Sequence, residues 1–543
     1  MSSRALRFIM LLAACGASCG ETAFANWIAS GTFKYQDREF NAAGFTGVEP
    51  SRPIRLATVE VRDANKSGGQ AILATTSTDI GGNFAVTVVD SSIRTIAFRV
   101  LTDSSAVSGL FLDVTNVNGQ QNNYAVTSPN FPNHGPTTNL SMGTVTGVIG
   151  AGGEPFNIYD VALNSLMFLR DLNGSYPDAA NALLLEWEPV SGVTATNFLS
   201  TGIIQVGDPS AYNDTVIQHE SGHYARKVYS ATDSPGGIHH LTNCNQDLRL
   251  AWEEGWATFF GQAVRLHFGL PNPQLYVKMT GQAGPGHLDF YFDVEAEAPY
   301  ACDGSASEVV VYAALWDLID SAATPDASPG EEDPSDGMAA PESCVWDVMK
   351  NYIRTATNRT LEDFWDGWFT LNEGYSSQIR DVFANQVVQL YEDADEPNET
   401  PALAKDFPTT GLLVRKTYFK NVGNGAGTTD ADYYAFSGRA GTTYTIETQN
   451  LIGDANTSLI LYRSDGVTQI AANDDRAPGI KSSLISFVAP QDGTYYVKSF
   501  HSTGYGIYGT YDLAIYANIY TVGGGILPTV TPLPKPIATR ELH

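Results

Sequence analysis

Basic side chains, cysteines and long apolar runs are all scarce in this sequence of 543 residues. The chain has 31 Lys and Arg against 59 Asp and Glu, which gives a formal charge of -28 at pH 7. Such a charge repels nucleic-acid phosphates and anionic lipid surfaces, so we expect no nucleic-acid partner. No apolar stretch reaches the roughly 18 residues that cross a bilayer, so we expect no membrane span.

The N-terminus has the order of a secretory signal peptide. Two arginines precede an apolar run (8–14), which is followed by small residues ending at Ala25. We therefore expect cleavage after Ala25 and an exported protein, either extracellular or in the cell envelope. The segment 12–15 also resembles a lipobox, so a lipid anchor at Cys15 is the alternative.

Cysteine is rare in the remaining chain. Cys244, Cys302 and Cys344 follow the expected cleavage site. An exported protein can form one disulfide from three cysteines, but the sequence does not choose the pair. Their spacing is not that of zinc ligands.

Composition changes along the chain indicate several domains. Short β-branched and aromatic runs broken by Gly, Asn, Asp and Pro occupy both ends and predict all-β sandwiches. Between them, apolar residues recur at three- and four-residue spacing, which predicts helices, and two strand-like runs lie at 183–189 and 201–208. The predicted segments are a signal peptide (1–25), a β-sandwich (26–140), an α+β domain (145–395), a linker (396–405), a second β-sandwich (406–520) and a flexible tail (521–543).

Both predicted sandwiches resemble known accessory domains. RPIRLATVEVRD with TSTDIGGNFAVTV (76–88) resembles the carboxypeptidase regulatory-like domain. The stretch 406–518 contains D-Y-Y-x-F, L-x-L-Y-x-x-D-G and D-G-T-Y-Y-V and resembles the bacterial pre-peptidase C-terminal domain. That second resemblance implies an exported protein, often a protease, with a trailing module.

The middle domain contains the motif VIQHESGHYARK (216–227). On a helix, His219 and His223 lie four residues apart on one face and can bind the same ion. Neutral imidazoles suit Zn²⁺, and Glu220 lies close enough to take a proton from water that the metal acidifies. The competing interpretation is an amphipathic helix with incidental histidines, so a third ligand decides between the two.

That ligand can come from WEEGWATFF (252–260), in which Glu253 and Glu254 begin an apolar helix. H-E-x-x-H followed by E-G-W-A resembles the gluzincin zinc metallopeptidases, which include thermolysin-like, fungalysin-like and aminopeptidase-like enzymes. The resemblance implies that Glu254 is the third zinc ligand. It also implies the overall fold class, which is a multidomain protein with an α+β zincin-like catalytic domain flanked by two all-β sandwiches.

The sequence departs from the gluzincin pattern at the group that stabilises the oxyanion. Gly304 stands where thermolysin and fungalysin relatives carry a histidine, and Thr258 replaces an aspartate that supports the metal site in thermolysin. By analogy with aminopeptidase-like gluzincins, we expect Tyr312 to be the oxyanion donor. The open alternatives are His239, His240, His287 and Tyr300.

The sequence therefore predicts a secreted, monomeric zinc metalloendopeptidase with a polypeptide substrate. An endopeptidase is favoured because the G-x-M-E-N motif that binds a free amine in aminopeptidases is absent. The acidic loop 324–343 is interpreted first as a solvated surface loop, with a calcium site there, or at Asp474 and Asp475, as the alternative. The alternative function is a cell-surface binding or adhesion protein whose zinc is structural or whose site is degenerate.

Overall fold

The computed structural model describes residues 26–117, 122–280, 284–295, 302–320 and 338–518. The predicted signal peptide with Cys15, Tyr300, most of the acidic loop 324–343 and the tail 521–543 lie outside these residues. Contacts divide the chain into two units, Met1–Ile217 with Met279–His287, and Gln218–Lys278 with Leu288–His543. The domain boundaries expected from the sequence stay predictions.

The first unit is rich in strands. They are β1 (Asn26–Gln36), β2 (Phe40–Asn41), β3 (Gly44–Phe45), β4 (Ser51–Pro53), β5 (Thr58–Asp63), β6 (Ile72–Ser77), β7 (Asn83–Val89), β8 (Arg94–Leu101), β9 (Leu112–Thr115), β10 (Ala125–Thr127), β11 (Phe131–His134), β12 (Leu140–Gly147), β13 (Leu183–Glu186), β14 (Asn197–Phe198) and β15 (Ile203–Gln205). One sheet has β1 between β12 and β4, with β7 also paired to β1, and a second has the order β10-β8-β5-β6. A row of stacked and tilted phenylalanines, Phe33, Phe84, Phe98 and Phe131, contributes to the core.

A third sheet continues the same unit beyond the predicted sandwich. Its strand order is β14-β15-β13-β9, and β9 pairs with β13 in parallel, with Leu112 opposite Leu183. The helix α1 (Gly153–Asn173) packs against β1, β9 and β12. Strands β9 and β13 thus share one sheet, although they lie on opposite sides of the boundary predicted at residues 140–145 between the first sandwich and the α+β domain. The sequence patterns of the two predicted domains did not indicate this pairing.

The middle region contains helices, as its apolar spacing predicts. Helix α2 (Asp214–Tyr229) begins in the first unit and ends in the second, and strand β17 (Gly286–Asp293) begins in the first unit. The elements are α2 (Asp214–Tyr229), α3 (Leu248–His267), β16 (Leu275–Met279), β17 (Gly286–Asp293), α4 (Glu308–Trp316), α5 (Glu342–Asp347), a π-helical turn (Val348–Tyr352), α6 (Leu361–Leu371) and α7 (Gln378–Asn385). Five tryptophans, Trp252, Trp256, Trp316, Trp365 and Trp368, are almost fully buried among these elements. Within the part of the chain that the structure describes, no helix is both long and apolar enough to cross a membrane.

The second unit ends in a two-layer β-sandwich, as the alternating pattern predicts. Its strands are β18 (Lys405–Asp406), β19 (Val414–Thr417), β20 (Phe419–Asn421), β21 (Gly427–Thr429), β22 (Ala431–Gly438), β23 (Thr443–Ile452), β24 (Thr457–Tyr462), β25 (Gln469–Asn473), β26 (Leu484–Val488), β27 (Gly493–His501) and β28 (Thr510–Asn518). The two sheets have the orders β18-β22-β27-β24-β25 and β19-β28-β23-β26. Their facing side chains form one apolar core that includes Tyr418, Tyr434, Ile446 and Leu461.

Candidate metal centre

Small residues let the two motif helices approach each other closely. A Cβ atom added at Gly222 of α2 would lie 2.7 Å from Ala257 Cα of α3. The indole Nε1 of Trp256 donates a hydrogen bond of 3.2 Å to the Gly222 carbonyl. On its other side, a Cβ at Gly255 would lie 2.5 Å from Val311 of α4. Close backbone approach at glycine therefore brings H-E-x-x-H and E-G-W-A together.

The three predicted metal ligands converge. His219 Nε2 lies 3.3 Å and His223 Nε2 lies 3.4 Å from Glu254 Oε2. The three ligand atoms all lie within 4.8 Å of one another. Tetrahedral Zn²⁺ with bonds of about 2.0–2.2 Å places neighbouring ligand atoms about 3.4 Å apart, so these side chains fit that ion.

The charge state of Glu254 also suits a cation. Burial by itself raises the pKa of Glu254, but hydrogen bonds from His219 and His223 outweigh burial and hold that pKa well below its ordinary value. Glu254 is thus present as a carboxylate, which is the form that coordinates a metal.

Each predicted histidine ligand has a hydrogen-bond partner at Nδ1, on the opposite side of the ring from the Nε2 atom that faces Glu254. His219 Nδ1 lies 3.0 Å from Thr258 Oγ1, and His223 Nδ1 lies 3.0 Å from Glu253 Oε1. Glu253 is itself held by Arg226, whose Nε lies 2.6 Å from the same carboxylate oxygen. Such partners fix the tautomer and leave Nε2 for the metal. Thr258 thus contacts His219 from the position where thermolysin has a supporting aspartate, and Glu253, to which the sequence assigned no role, contacts His223.

Glu220 lies beside the ligand cluster. It is 8% exposed, on the helix that carries both histidines. Burial raises the pKa of Tyr276, and the charges of Glu220 and Glu254 raise it further, so both carboxylates lie near that phenol. The Tyr276 ring meets His219 edge to face at 6.1 Å. A carboxylate next to the cluster is what the predicted general base requires.

Tyr312, the predicted oxyanion donor, lies inside the core of the second unit. Its side chain is completely buried on α4, and its ring stacks on Phe292 with centroids 5.0 Å apart. Phe292 in turn stacks on Tyr276 at 4.6 Å. Among the described tyrosines, Tyr276 rather than Tyr312 meets the His219 ring, and the role of Tyr312 stays a prediction.

His239, one of the alternatives left open by the sequence, lies at the cluster. Its Nε2 is 3.5 Å from Glu254 Oε2, and its Nδ1 is 2.8 Å from Glu308 Oε2. The hydrogen bond to Glu308 raises the pKa of His239 to about 8. With 37% of its side chain exposed, the imidazole faces both the buried ligands and solvent.

Two connections tie the His239 segment to the Glu308 segment. A disulfide joins Cys244 to Cys302 with a Cα–Cα distance of 5.3 Å, and Cys344 is a free cysteine. Two residues beyond Cys244, the Gln246 N–H donates a hydrogen bond of 2.8 Å to the Ala306 carbonyl. The cysteine pair was the one sequence signal that could have placed His239 near Glu308.

The structure also gives a reason for glycine at position 304. The backbone of Gly304 has φ +81°, which favours glycine, and an added Cβ would lie 2.4 Å from Ile452 Cγ2 in β23. The C-terminal sandwich thus occupies the space that a histidine at this position needs. His239 provides an imidazole at the metal cluster from another segment.

A second group of potential ligands lies at the start of the C-terminal sandwich. Carboxylate oxygens of Glu396, Asp430 and Asp432 lie within 4.8 Å of one another. Burial and the neighbouring Asp430 raise the pKa of Glu396 to about 8, and burial raises the pKa of Asp432 well above its ordinary value. Asp430 Oδ2 is buried and has no hydrogen-bond partner among the described residues. A buried carboxylate oxygen without a donor, here Oδ2 of Asp430, is suited to a hard cation such as Ca²⁺.

The positions where the sequence predicted calcium are different. Asp474 and Asp475 follow β25, and neither belongs to a potential ligand group among residues with described positions. Most of the loop 324–343 lies outside the described residues. Calcium at either position stays a prediction.

Comparisons with known proteins identify one part of the chain. Residues 430–498 match the model of the bacterial pre-peptidase C-terminal domain. No curated protein matches the chain.

Two solved structures resemble small parts of the chain. One is the pre-peptidase C-terminal domain of collagenase from Bacillus anthracis, with 17% identity over 22% of this chain and 97% of that chain, at a TM-score of 0.17. The other is PliG from Aeromonas hydrophila, a periplasmic inhibitor of g-type lysozyme, with 16% identity over 21% of this chain and 95% of that chain, at a TM-score of 0.15. At these TM-scores neither likeness bears on the metal centre. From the family match, this multidomain, strand-rich chain contains a bacterial pre-peptidase C-terminal domain at residues 430–498.

Proposed function

We propose that the chain is an exported zinc metallopeptidase of gluzincin type that acts as an endopeptidase. The observation that carries this proposal is the convergence of His219, His223 and Glu254 at tetrahedral spacing, with Glu220 beside them. A structural zinc site has no need of an additional carboxylate such as Glu220. The pre-peptidase C-terminal domain is consistent with export.

The residues divide the work of peptide hydrolysis. His219, His223 and Glu254 would hold a zinc ion, which would supply a Lewis acid for acidifying water and polarising the scissile carbonyl. Glu220 accepts the proton of the attacking water and then delivers it to the leaving amine. Thr258 and Glu253 keep the two imidazoles in the orientation that binding requires.

The direct test is metal content measured beside proteolysis. Purified protein should contain about one zinc per chain by plasma mass spectrometry, because the group of His219, His223 and Glu254 shares Glu254 with the neighbouring group of His239, Glu254 and Glu308. It should also cleave casein. Zinc without cleavage would favour the binding or adhesion protein over the peptidase. Protein that takes up no zinc would overturn the peptidase and would leave only the binding or adhesion protein with a degenerate site.

We assign the oxyanion-donor role to His239 in preference to Tyr312. His239 is tied to Glu308 and reaches Glu254 at the exposed side of the cluster, where a substrate can approach. Tyr312 is enclosed by the core and stacks on Phe292. A hydrogen-bond donor aimed at the developing oxyanion contributes about 3–4 kcal/mol to catalysis.

His239→Gln should therefore lower kcat by about 10²- to 10³-fold, with a much smaller change in KM. Zinc content should stay at the wild-type value, because the proposed ligands are His219, His223 and Glu254; loss of zinc would place the ion at the alternative group of His239, Glu254 and Glu308. Tyr312→Phe should keep kcat within about threefold of wild type, since a buried hydroxyl away from the substrate makes no contact that changes in the transition state. His240→Gln, which alters the exposed neighbouring histidine, is the matched control. A large loss in Tyr312→Phe with none in His239→Gln would reverse the assignment.

We also propose that Glu396, Asp430 and Asp432 bind Ca²⁺. Calcium at 100 times its Kd should stabilise the folded protein by about 2.7 kcal/mol, which scanning calorimetry measures as a rise in Tm. Asp430→Asn should abolish the rise, because the orphaned carboxylate oxygen is lost. Asp475→Asn serves as the control and separates this cluster from the position that the sequence predicted. A calcium effect lost in Asp475→Asn and retained in Asp430→Asn would place the ion at Asp475 instead.

A further inference from the structure

Three carboxyl groups on helix α6 lie where that helix meets the C-terminal sandwich. Glu362, Asp363 and Asp366 occupy its first two turns. Asp366 accepts hydrogen bonds from the Gly427 N–H at 2.7 Å and from the Tyr508 hydroxyl at 2.9 Å. Both donors belong to the sandwich, so this carboxyl group connects the helix directly to it.

The other two carboxyl groups are held by neutral donors as well. Glu362 is 4% exposed, the Ser305 hydroxyl lies 3.4 Å from its Oε1, and the Tyr508 backbone N–H also faces it. Asp363 forms a capping box with Thr360 at the start of α6. These partners of the three carboxyl groups are hydroxyl or N–H groups, none of which neutralises a negative charge.

Close packing surrounds these groups. Trp365 Nε1 donates a hydrogen bond of 3.0 Å to the Gly425 carbonyl. A Cβ added at Gly425 would lie 2.3 Å from the Phe369 ring, so sandwich backbone rests directly on α6. The Glu362 carboxyl group is buried here and Asp363 and Asp366 are partly exposed, so the free-energy cost of ionisation is largest at Glu362.

The pKa values reflect this enclosure. Burial is the largest cause in each case, and it raises the pKa of Glu362 to about 8, of Asp363 to about 7 and of Asp366 to about 6. Repulsion between the neighbouring carboxylates adds to the first two values. Other titratable or charged groups around the contact are Asp233, Arg249, Tyr352, Arg359 and Arg380 from the helical part and Tyr505 and Tyr508 from the sandwich.

We propose that Glu362, Asp363 and Asp366 form a proton-dependent clamp that holds the C-terminal sandwich against α6 and loosens when the three carboxyl groups ionise. In the docked state they bind protons more tightly than in an open state, where pKa values of about 4 apply. The contact is therefore at full strength below about pH 4. It weakens progressively as the pH rises through the docked values of about 6 to about 8.

The clamp is connected to the metal centre by aromatic packing. Phe364 of α6 lies against Trp252 of α3 with ring centroids 5.7 Å apart. Trp252 directly precedes Glu253 and Glu254 in the same helix. Loosening α6 would remove one layer of support from the helix that carries the third ligand.

Hydrogen exchange followed by mass spectrometry on the full chain tests the clamp. Protection factors, corrected for intrinsic exchange at each pH, should fall at least about tenfold between pH 5 and pH 8.5 in peptides covering 425–430 and 505–510, since one pKa unit corresponds to a tenfold change in equilibrium. Peptides from β1 and β7, in the other unit, provide the reference. Equal protection at both pH values would overturn the proposal.

A paired variant separates ionisation from general loosening. Glu362→Gln with Asp363→Asn mimics the protonated groups, so protection should become nearly independent of pH. Asp465→Asn changes an exposed carboxylate of the same sandwich and should retain the wild-type profile. A paired variant with the wild-type pH dependence would overturn the clamp, and if that variant does not fold, the wild-type profile alone decides. Neither readout uses zinc or proteolysis, so failure of the peptidase proposal is distinguished from failure of the clamp.

Discussion

Replacing Glu220 with glutamine should reduce casein hydrolysis by about 10²- to 10⁴-fold and leave zinc in place. The amide has nearly the same shape as the carboxylate but cannot take a proton from water. His219, His223 and Glu254 are unchanged in this variant, so the metal site keeps its ligands. Zinc per chain and kcat/KM, measured on the same preparation, test both halves of this expectation.

The control for this substitution is Glu49→Gln, which alters an exposed glutamate in the first unit. It should retain wild-type hydrolysis and zinc. Activity of Glu220→Gln equal to that of wild type would show that another group accepts the proton. Loss of zinc in Glu220→Gln would mean that Glu220 acts as a ligand, and the division of roles would have to change.

Replacing Glu254 with alanine should remove both zinc and hydrolysis. The substitution leaves only His219 and His223, and two imidazoles under-ligate a tetrahedral ion. We expect zinc affinity to fall by more than about 100-fold, because removal of an outer partner alone already costs 10- to 100-fold. Competition with a chromophoric chelator measures the affinity, and casein cleavage measures the activity.

Glu253→Gln provides the matched comparison, since it changes the adjacent glutamate in the same helix. Glu253 holds His223 and Arg226 and does not belong to the ligand group. Its substitution should weaken zinc binding by only about 10- to 100-fold. Tighter zinc binding by Glu254→Ala than by Glu253→Gln would exchange the roles of the two residues.

The local sequence was sufficient to predict helices and strands in which apolar residues recur at a regular spacing. The four-residue spacing of His219 and His223 placed both on one face of a helix, and the structure has that helix at Asp214–Tyr229. Alternating apolar residues predicted the C-terminal sandwich, and the family match confirms its type over 430–498. A period is a short-range property, so it can be recognised without knowing what packs against the element.

Contacts between residues of distant segments could not be predicted from periodicity. The Cys244–Cys302 pair, the contact of His239 with Glu308 and the cluster of Glu396 with Asp430 each join segments that no local period relates. In comparison with the gluzincin pattern, Gly304 stands where a catalytic histidine is expected. In the structure, the space that a Cβ atom at this position would need is occupied by Ile452.

The spacing of residues along the chain thus predicted the helix that carries His219 and His223, which are two of the predicted metal ligands, and the strands of the C-terminal sandwich. The fold was needed to identify the hydrogen-bond partners of the motif histidines and the further histidine that lies at the ligand cluster. It was also needed to locate the groups of buried carboxylates. The physical reason is that these contacts depend on loop closure and on close backbone approach at residues such as Gly222 and Gly255. Neither has a signature in the spacing of residues along the chain.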